Sequence, residues 1–322
     1  MLAKLLPMVS PARRSGHELA GEGLEVVGAD WRERLERMLE ILPAGERSAL
    51  LAIRVEDELA LPLPCAKVIA RARSEWFPEL LSRGSFTAAF DPVVHLSSGA
   101  VVARSARIEA RLDEARFGHD ELLDAAEAHD AVYSFDRRAR MVALESGLPR
   151  LGDGEMLLVS LDPRAVVDIE GSLSSTWPAV ARAGGEGRSV CLNLAAGHTE
   201  DFGRLAALAA AHRDQGALIG LSDVSGGART LEALEAIRPE IALLDPALTA
   251  GLDASRPRRT LVRAIVDCAH ATGAEVVAGA IVRLAELEAL RDLGADHGGG
   301  PLFGDTPLPA LAPAAGAVPT AA

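Results

Sequence analysis

Residues 217–245 read ALIGLSDVSGGARTLEALEAIRPEIALLD, and this stretch decides the fold. Ala217 to Val224 is a short apolar run of the kind that makes a buried strand. It ends in Ser222 and Asp223, and Gly226 and Gly227 permit a tight turn after it. Thr230 to Ile237 has helical spacing, Pro239 ends that helix, and Ile241 to Leu244 form a second apolar strand that runs into Asp245. A strand–loop–helix–strand unit normally builds a parallel sheet. Both strands deliver an acid at their C-terminal end, where α/β folds place their sites. Taken singly, each acid is better explained as a turn or capping residue, Asp223 in the loop and Asp245 at the start of the next helix.

The same alternation extends in both directions. Upstream, Phe86 to Val94 and Val101 to Ile108 read as strands joined by the turn Ser97-Ser98-Gly99, an antiparallel pair. Helices follow over Glu121 to Ala128 and Arg137 to Leu144, then a strand over Met156 to Leu161 and a helix near Trp177 to Arg182. Ser189 to Leu194 is a strand and Asp201 to Asp214 a helix. Downstream, Thr260 to Thr272 is a helix, Glu275 to Val282 a strand, Ala285 to Leu293 a helix, and Pro301 to Phe303 a final short strand. About eight strands with helices between most of them predict an α/β, TIM-like (β/α)8 barrel with an antiparallel first pair.

Residues 1–84 read as a small, mostly helical N-terminal extension. Residues 1–27 lack periodicity and suggest an irregular arm. Trp31, Leu35, Met38, Leu39 and Leu42 make one apolar stripe, ended by Pro43-Ala44-Gly45, and a stripe of this kind must be buried against its own chain or another. Ser48 to Val55 fits a buried helix or strand, and Ala66 to Leu81 reads as one helix. The barrel domain spans 85–307. Residues 308–322, LPALAPAAGAVPTAA, form a Pro/Ala-rich tail expected to be disordered.

Composition limits the function. The chain has 322 residues, 49% of them hydrophobic, enough to bury a large core. The formal net charge of −13 argues against nucleic acid or an anionic membrane as the main partner, since both need a basic surface. No run is long enough to span a membrane. Cys65, Cys191 and Cys268 are far apart and form no C-x-x-C pair, which fits a reduced, cytoplasmic setting. His95, His212, His270 and His297 show no metal-ligand spacing.

The ordered phrases resemble those of a known family. FDPVVHLSSGAVVARSARIEAR (90–111) resembles the opening of EAL domains, the cyclic di-GMP phosphodiesterases, where the stretch runs roughly FQPIVDL, TG, VVG and EALLR. FDRRARMVALESG (135–147) is similar to the helix that follows. LLVSLDP, GLSDVSGGARTLEAL, RPEIALLDPALTAGLD, EVVAGAIVRLAELEALRDLGAD and GGPLFG stand where the family has VNLSP, LDDFGTGYSSL, PDYIKLDRSLVAGID, VIAEGVETEEELALLRDLGVD and QGYLFG. The match runs in order from 85 to about 307, and no single phrase carries it alone.

The resemblance implies oxygen ligands for divalent metal at the strand ends, and here most of them are missing. The glutamate of the family's name falls on Ser105, and the leucine and arginine after it fall on Arg107 and Glu109. The family asparagine falls on Ser160, and the next strand's glutamate on Leu192 or Asn193, depending on register. The first of the paired aspartates falls on Ser222, leaving Asp223. The lysine falls on Leu243, with Asp245 retained. The last strands' glutamates fall on Gly279 and Val282, the glutamine on Gly299, and Asp91 replaces a glutamine. What the resemblance implies is therefore a catalytically inactive, EAL-like regulatory protein that acts through protein–protein contacts in bacterial signalling, with no metal and no cofactor. The expected partner is another protein of unknown identity, a homodimer being one form. The acids Asp91, Glu109, Asp223 and Asp245 against the single cation Arg107 put cyclic di-GMP binding in doubt. The alternatives are a non-hydrolysing cyclic di-GMP receptor and an active phosphodiesterase.

Overall fold

The computed structural model describes residues 3–7, 24–26, 31–41, 50–54, 63–195, 197, 199 and 201–304. The proposed tail at 308–322, most of 1–27, Leu42 and Pro43-Ala44-Gly45 lie outside these residues. The chain divides into two compact units, one made of Met1–Gly84 with Leu112–Ala131 and the other of Ser85–Arg111 with Val132–Ala322. Residues 112–131, read from sequence as part of the barrel, thus fall within the first unit.

The first unit contains the expected helices, α1 (Trp31–Ile41), α2 (Cys65–Arg73) and α3 (Phe77–Arg83), together with α4 (His119–Ala128). It also contains a four-stranded antiparallel sheet in the order β2-β1-β3-β4, built from Ala3–Pro7 (β1), Leu24–Val26 (β2), Leu50–Arg54 (β3) and Leu63–Pro64 (β4). Within the ambiguous 48–55 segment, Leu50–Arg54 is a strand. The rest of the sheet escapes a local reading because its strands are two to five residues long and pair across distant segments, Lys4 with both Glu25 and Ile53. The helix expected over 66–81 is two helices. Ser74 folds back on the Ala70 carbonyl at 2.8 Å, and Pro78, which has no N–H to donate, sits in the first turn of α3. Trp31 and Leu35 of the apolar stripe are buried with Cys65, Val68, Ile69 and Ala72 of α2. Those two residues are therefore satisfied within the unit. Trp76 stacks on Phe117 of β7 (Ala115–Phe117) with ring centroids 3.7 Å apart.

The second unit is a closed eight-stranded barrel of β5 (Ser85–His95), β6 (Val101–Leu112), β8 (Met156–Leu161), β9 (Val190–Ala195), β10 (Leu218–Val224), β11 (Ile241–Leu244), β12 (Glu275–Ala278) and β13 (His297–Gly299). β5 runs antiparallel to both neighbours, β6 and β13, and closes the barrel; the remaining pairs are parallel. Strand alternation sends Val93, Ala103, Leu158, Cys191, Ile241 and Val277 into one interior cluster. Outside lie α5 (Val132–Gly147), α6 (Ile169–Arg182), α7 (Phe202–Arg213), α8 (Ala228–Ile237), α9 (Pro246–Thr249), α10 (Arg256–Thr272) and α11 (Leu284–Asp292).

Two strand assignments change. β12 stops at Ala278 rather than Val282, and Ala280 just beyond it turns the backbone out of the strand region with a left-handed φ of 55°. The last strand is His297–Gly299, and Pro301–Phe303 is a 3-10 turn. Two glycines give a strand no side-chain signal, while Pro301 cannot donate to a ladder. The outer layer holds one buried polar chain. Arg140 pairs with Asp136 and donates to Thr176 Oγ1 at 3.1 Å, and Asp136 accepts the Asp162 N–H at 3.0 Å. Ser172 meets His212 Nε2 at 3.0 Å. This chain fastens the turn after β8 to the helices behind it.

Candidate functional site

The C-terminal ends of the parallel strands open into a cavity of about 590 Å³. Its floor is apolar, made by Leu158 and Val277 of the interior cluster together with Val93 and Leu243. Asp91, Ser105 and Arg107 form one wall on the antiparallel pair. Ser222 and Asp223 form another at the end of β10, and Gly279, Ala280, Gly299 and Gly300 complete the rim. Eight of the eleven positions singled out in the sequence line this one cavity: Asp91, Ser105, Arg107, Ser222, Asp223, Leu243, Gly279 and Gly299. Glu109, Ser160 and Asp245 are outside its lining.

Local backbone explains each placement. Asp91 lies opposite Ser105 in the β5–β6 ladder, and Arg107 lies opposite Ala89, so Asp91 and Arg107 are diagonal neighbours on one face. The guanidinium takes both carboxylate oxygens, Nε to Oδ2 at 3.1 Å and Nη2 to Oδ1 at 3.3 Å. Glu109 approaches the same guanidinium at 3.9 Å. The β10–β11 register shifts between Leu221 and Val224, and Asp223 takes φ 60° in that bulge, a conformation aspartate tolerates. Ser222 Oγ donates to its Oδ2 at 3.4 Å. Asp245 does what a capping residue does: its side chain accepts the Ala247 N–H at 2.8 Å at the start of α9. Leu243 packs on the interior cluster. At Gly279 an added Cβ would meet nothing within 4 Å, so space for a side chain exists there.

Asn193 is a residue the sequence left unresolved. It is two residues from the inward-facing Cys191 on β9, so of the two register choices it is Asn193, not Leu192, that shares the interior face. It pairs with Ser160 on one side and Gly220 on the other, and its Oδ1 occupies the place where a Cβ on Gly220 would go. Strand alternation counted from Cys191 was the signal available. Of the four histidines, His95 and His297 lie edge to face with ring centroids 5.2 Å apart, His297 also meets Glu275 at 2.9 Å, His270 meets Asp296 at 2.8 Å, and His212 is fully buried. Among the described residues, no three His, Cys, Asp or Glu side chains are grouped so as to hold a metal ion.

The family model of the EAL domain matches residues 74–306, most of the chain. The chain belongs to the EAL domain family. Solved EAL structures share the fold. The EAL enzyme Bd1971, described as its cAMP- and cyclic-di-GMP-bound form, superposes with a TM-score of 0.65 at 18% identity, covering 74% of this chain and 65% of that chain. The Xanthomonas citri FimX EAL domain, in complex with c-diGMP, gives 0.62 at 20% identity, covering 73% of this chain and 93% of that one. An EAL domain protein from Listeria monocytogenes EGD-e gives 0.63 at 15% identity, covering 72% and 92%. No curated protein matches. The EAL barrel explains why the cavity sits at the strand ends: this is where such a barrel exposes the residues of different strands to one another. Among the described residues, no helix is long and apolar enough to cross a membrane.

Proposed function

We propose that this EAL barrel does not hydrolyse cyclic dinucleotides and acts in signalling through contacts with another protein. The observation that carries this reading is the donor set of the cavity. Among the described residues, only Asp91 and Asp223 bring carboxylates to its lining, and Asp91 is committed to Arg107. Hydrolysis of a phosphodiester in this family's manner needs divalent metal held by several oxygen ligands, which turns a bound water into a nucleophile. Ser105, Ser222, Leu243 and Gly279 stand where the resemblance calls for a glutamate, an aspartate, a lysine and a glutamate. The residues present do not fit such an ion. Removing like charges from the mouth lowers repulsion and desolvation cost once no metal offsets them.

The cavity volume favours a second reading, a receptor that binds cyclic di-GMP without cleaving it. A space of about 590 Å³ is in the range of small-molecule sites. Two of the solved relatives are described with that nucleotide bound. Against it, among the described residues no aromatic ring lines the cavity and its single cation is already paired. Product release from cyclic di-GMP with Mg²⁺ or Mn²⁺, measured by chromatography, tests the first reading. The expected result is no linear dinucleotide, from the parent protein or from Ser105→Glu, since one restored carboxylate leaves the other ligands absent. Metal-dependent turnover above buffer sinks the proposal.

A further inference from the structure

We propose that Asp91 sets the charge preference of the barrel mouth, closing it to anionic ligands by holding Arg107. This rests on the reading above that the mouth carries no metal to offset its acids. Among the described residues lining the cavity, Arg107 is the one cation. Its fork faces Asp91 with both carboxylate oxygens engaged, at 3.1 and 3.3 Å, a geometry that matches the way a guanidinium grips a phosphate. Glu109 sits at 3.9 Å on the other flank. The three side chains therefore carry a net charge of minus one where a phosphate would have to dock, and Asp223 adds a fourth, negative, group on the opposite wall. An arriving phosphate has to displace a bidentate partner and then sit among carboxylates.

The pair contributes little to the stability of the fold. Its side chains are 49% and 51% exposed, the range in which ion pairs contribute little stability. What Asp91 does control is the sign of the field at the cavity wall. Asp91→Asn keeps the shape of the side chain, removes one negative charge and makes the local balance neutral, with Arg107 still in place.

Calorimetric titration at low salt, with cyclic di-GMP and with inorganic pyrophosphate as probes, tests this on the full chain. The expected result is no heat with the parent and measurable binding of both probes by Asp91→Asn, an affinity gain of about tenfold or more that shrinks as salt is added. The double variant Asp91→Asn with Arg107→Gln is expected to lose the gain, which ties it to the guanidinium. Circular dichroism verifies that the variants keep their fold. If Asp91→Asn binds no better than the parent, or if the gain survives removal of Arg107, the inference about Asp91 falls while the proposed function stands. If the parent itself binds cyclic di-GMP tightly, the proposed function gives way to the receptor reading, and Asp91 is not a barrier.

Discussion

Lowering the pH through the range where a free imidazole titrates is expected to destabilise the fold through the buried His212. His212 has no exposed surface, its Nε2 is paired with Ser172 Oγ at 3.0 Å, and its ring lies 5.9 Å from that of Trp177. Burial, with a smaller contribution from the positive charge of Arg140, lowers its pKa to about 4. A solvated imidazole titrates near 6.5. The unfolded chain therefore takes up the proton first, and stability falls as pH drops from about 6.5 towards 4, then levels off. At pH 5 the unfolded imidazole is almost fully charged and the folded one about one-tenth charged. The linkage factor is about thirtyfold, or about 2 kcal/mol, lost between pH 7.5 and pH 5. Urea unfolding at the two pH values, for the parent and for His212→Gln, isolates this contribution, because every other titrating group is common to both. Glutamine can still meet Ser172 but does not titrate. The parent should lose about 2 kcal/mol more than His212→Gln over this range. A parent-minus-variant difference that does not change with pH refutes the reasoning.

Two further perturbations follow from the same structure. Arg140→Met leaves Asp136 buried without its partner and should cost about 3–5 kcal/mol in urea unfolding, while Arg140→Met combined with Asp136→Leu should recover part of the loss, the rest being the Asp162 N–H left without its acceptor. Ala280→Gly should raise the unfolding free energy by about 0.5–1 kcal/mol, because alanine is held at φ 55° where glycine is unstrained; no rise in Tm would contradict that.

Most of the barrel could be read along the chain because its signals are local. Met156–Leu161 and Ile241–Leu244 are apolar runs bounded by turn residues, and both strands appear with those limits. Where the signal is not local, the reading failed. His297–Gly299 is a strand by virtue of its neighbours β12 and β5, with two glycines that show no pattern. The N-terminal sheet joins residues 3–7 to 50–54, a pairing no window of sequence contains. At the mouth, the motif order was enough to bring eight scattered positions to one cavity. It did not show that Asp91 and Arg107 would engage each other, since that depends on the antiparallel register placing them diagonally, sixteen residues apart. Nor did it decide between Leu192 and Asn193, although alternation counted from an inward-facing Cys191 points to Asn193.

Mn²⁺ binding followed by electron paramagnetic resonance decides, without assuming any substrate, whether the barrel mouth holds a divalent ion. With protein and Mn²⁺ roughly equimolar and dilute, the signal of the free aquo ion is expected at full intensity, unchanged between the parent and Asp223→Asn, because among the described residues Asp223 is the one lining carboxylate not tied to Arg107. A bound fraction in the parent that disappears in Asp223→Asn would contradict that expectation.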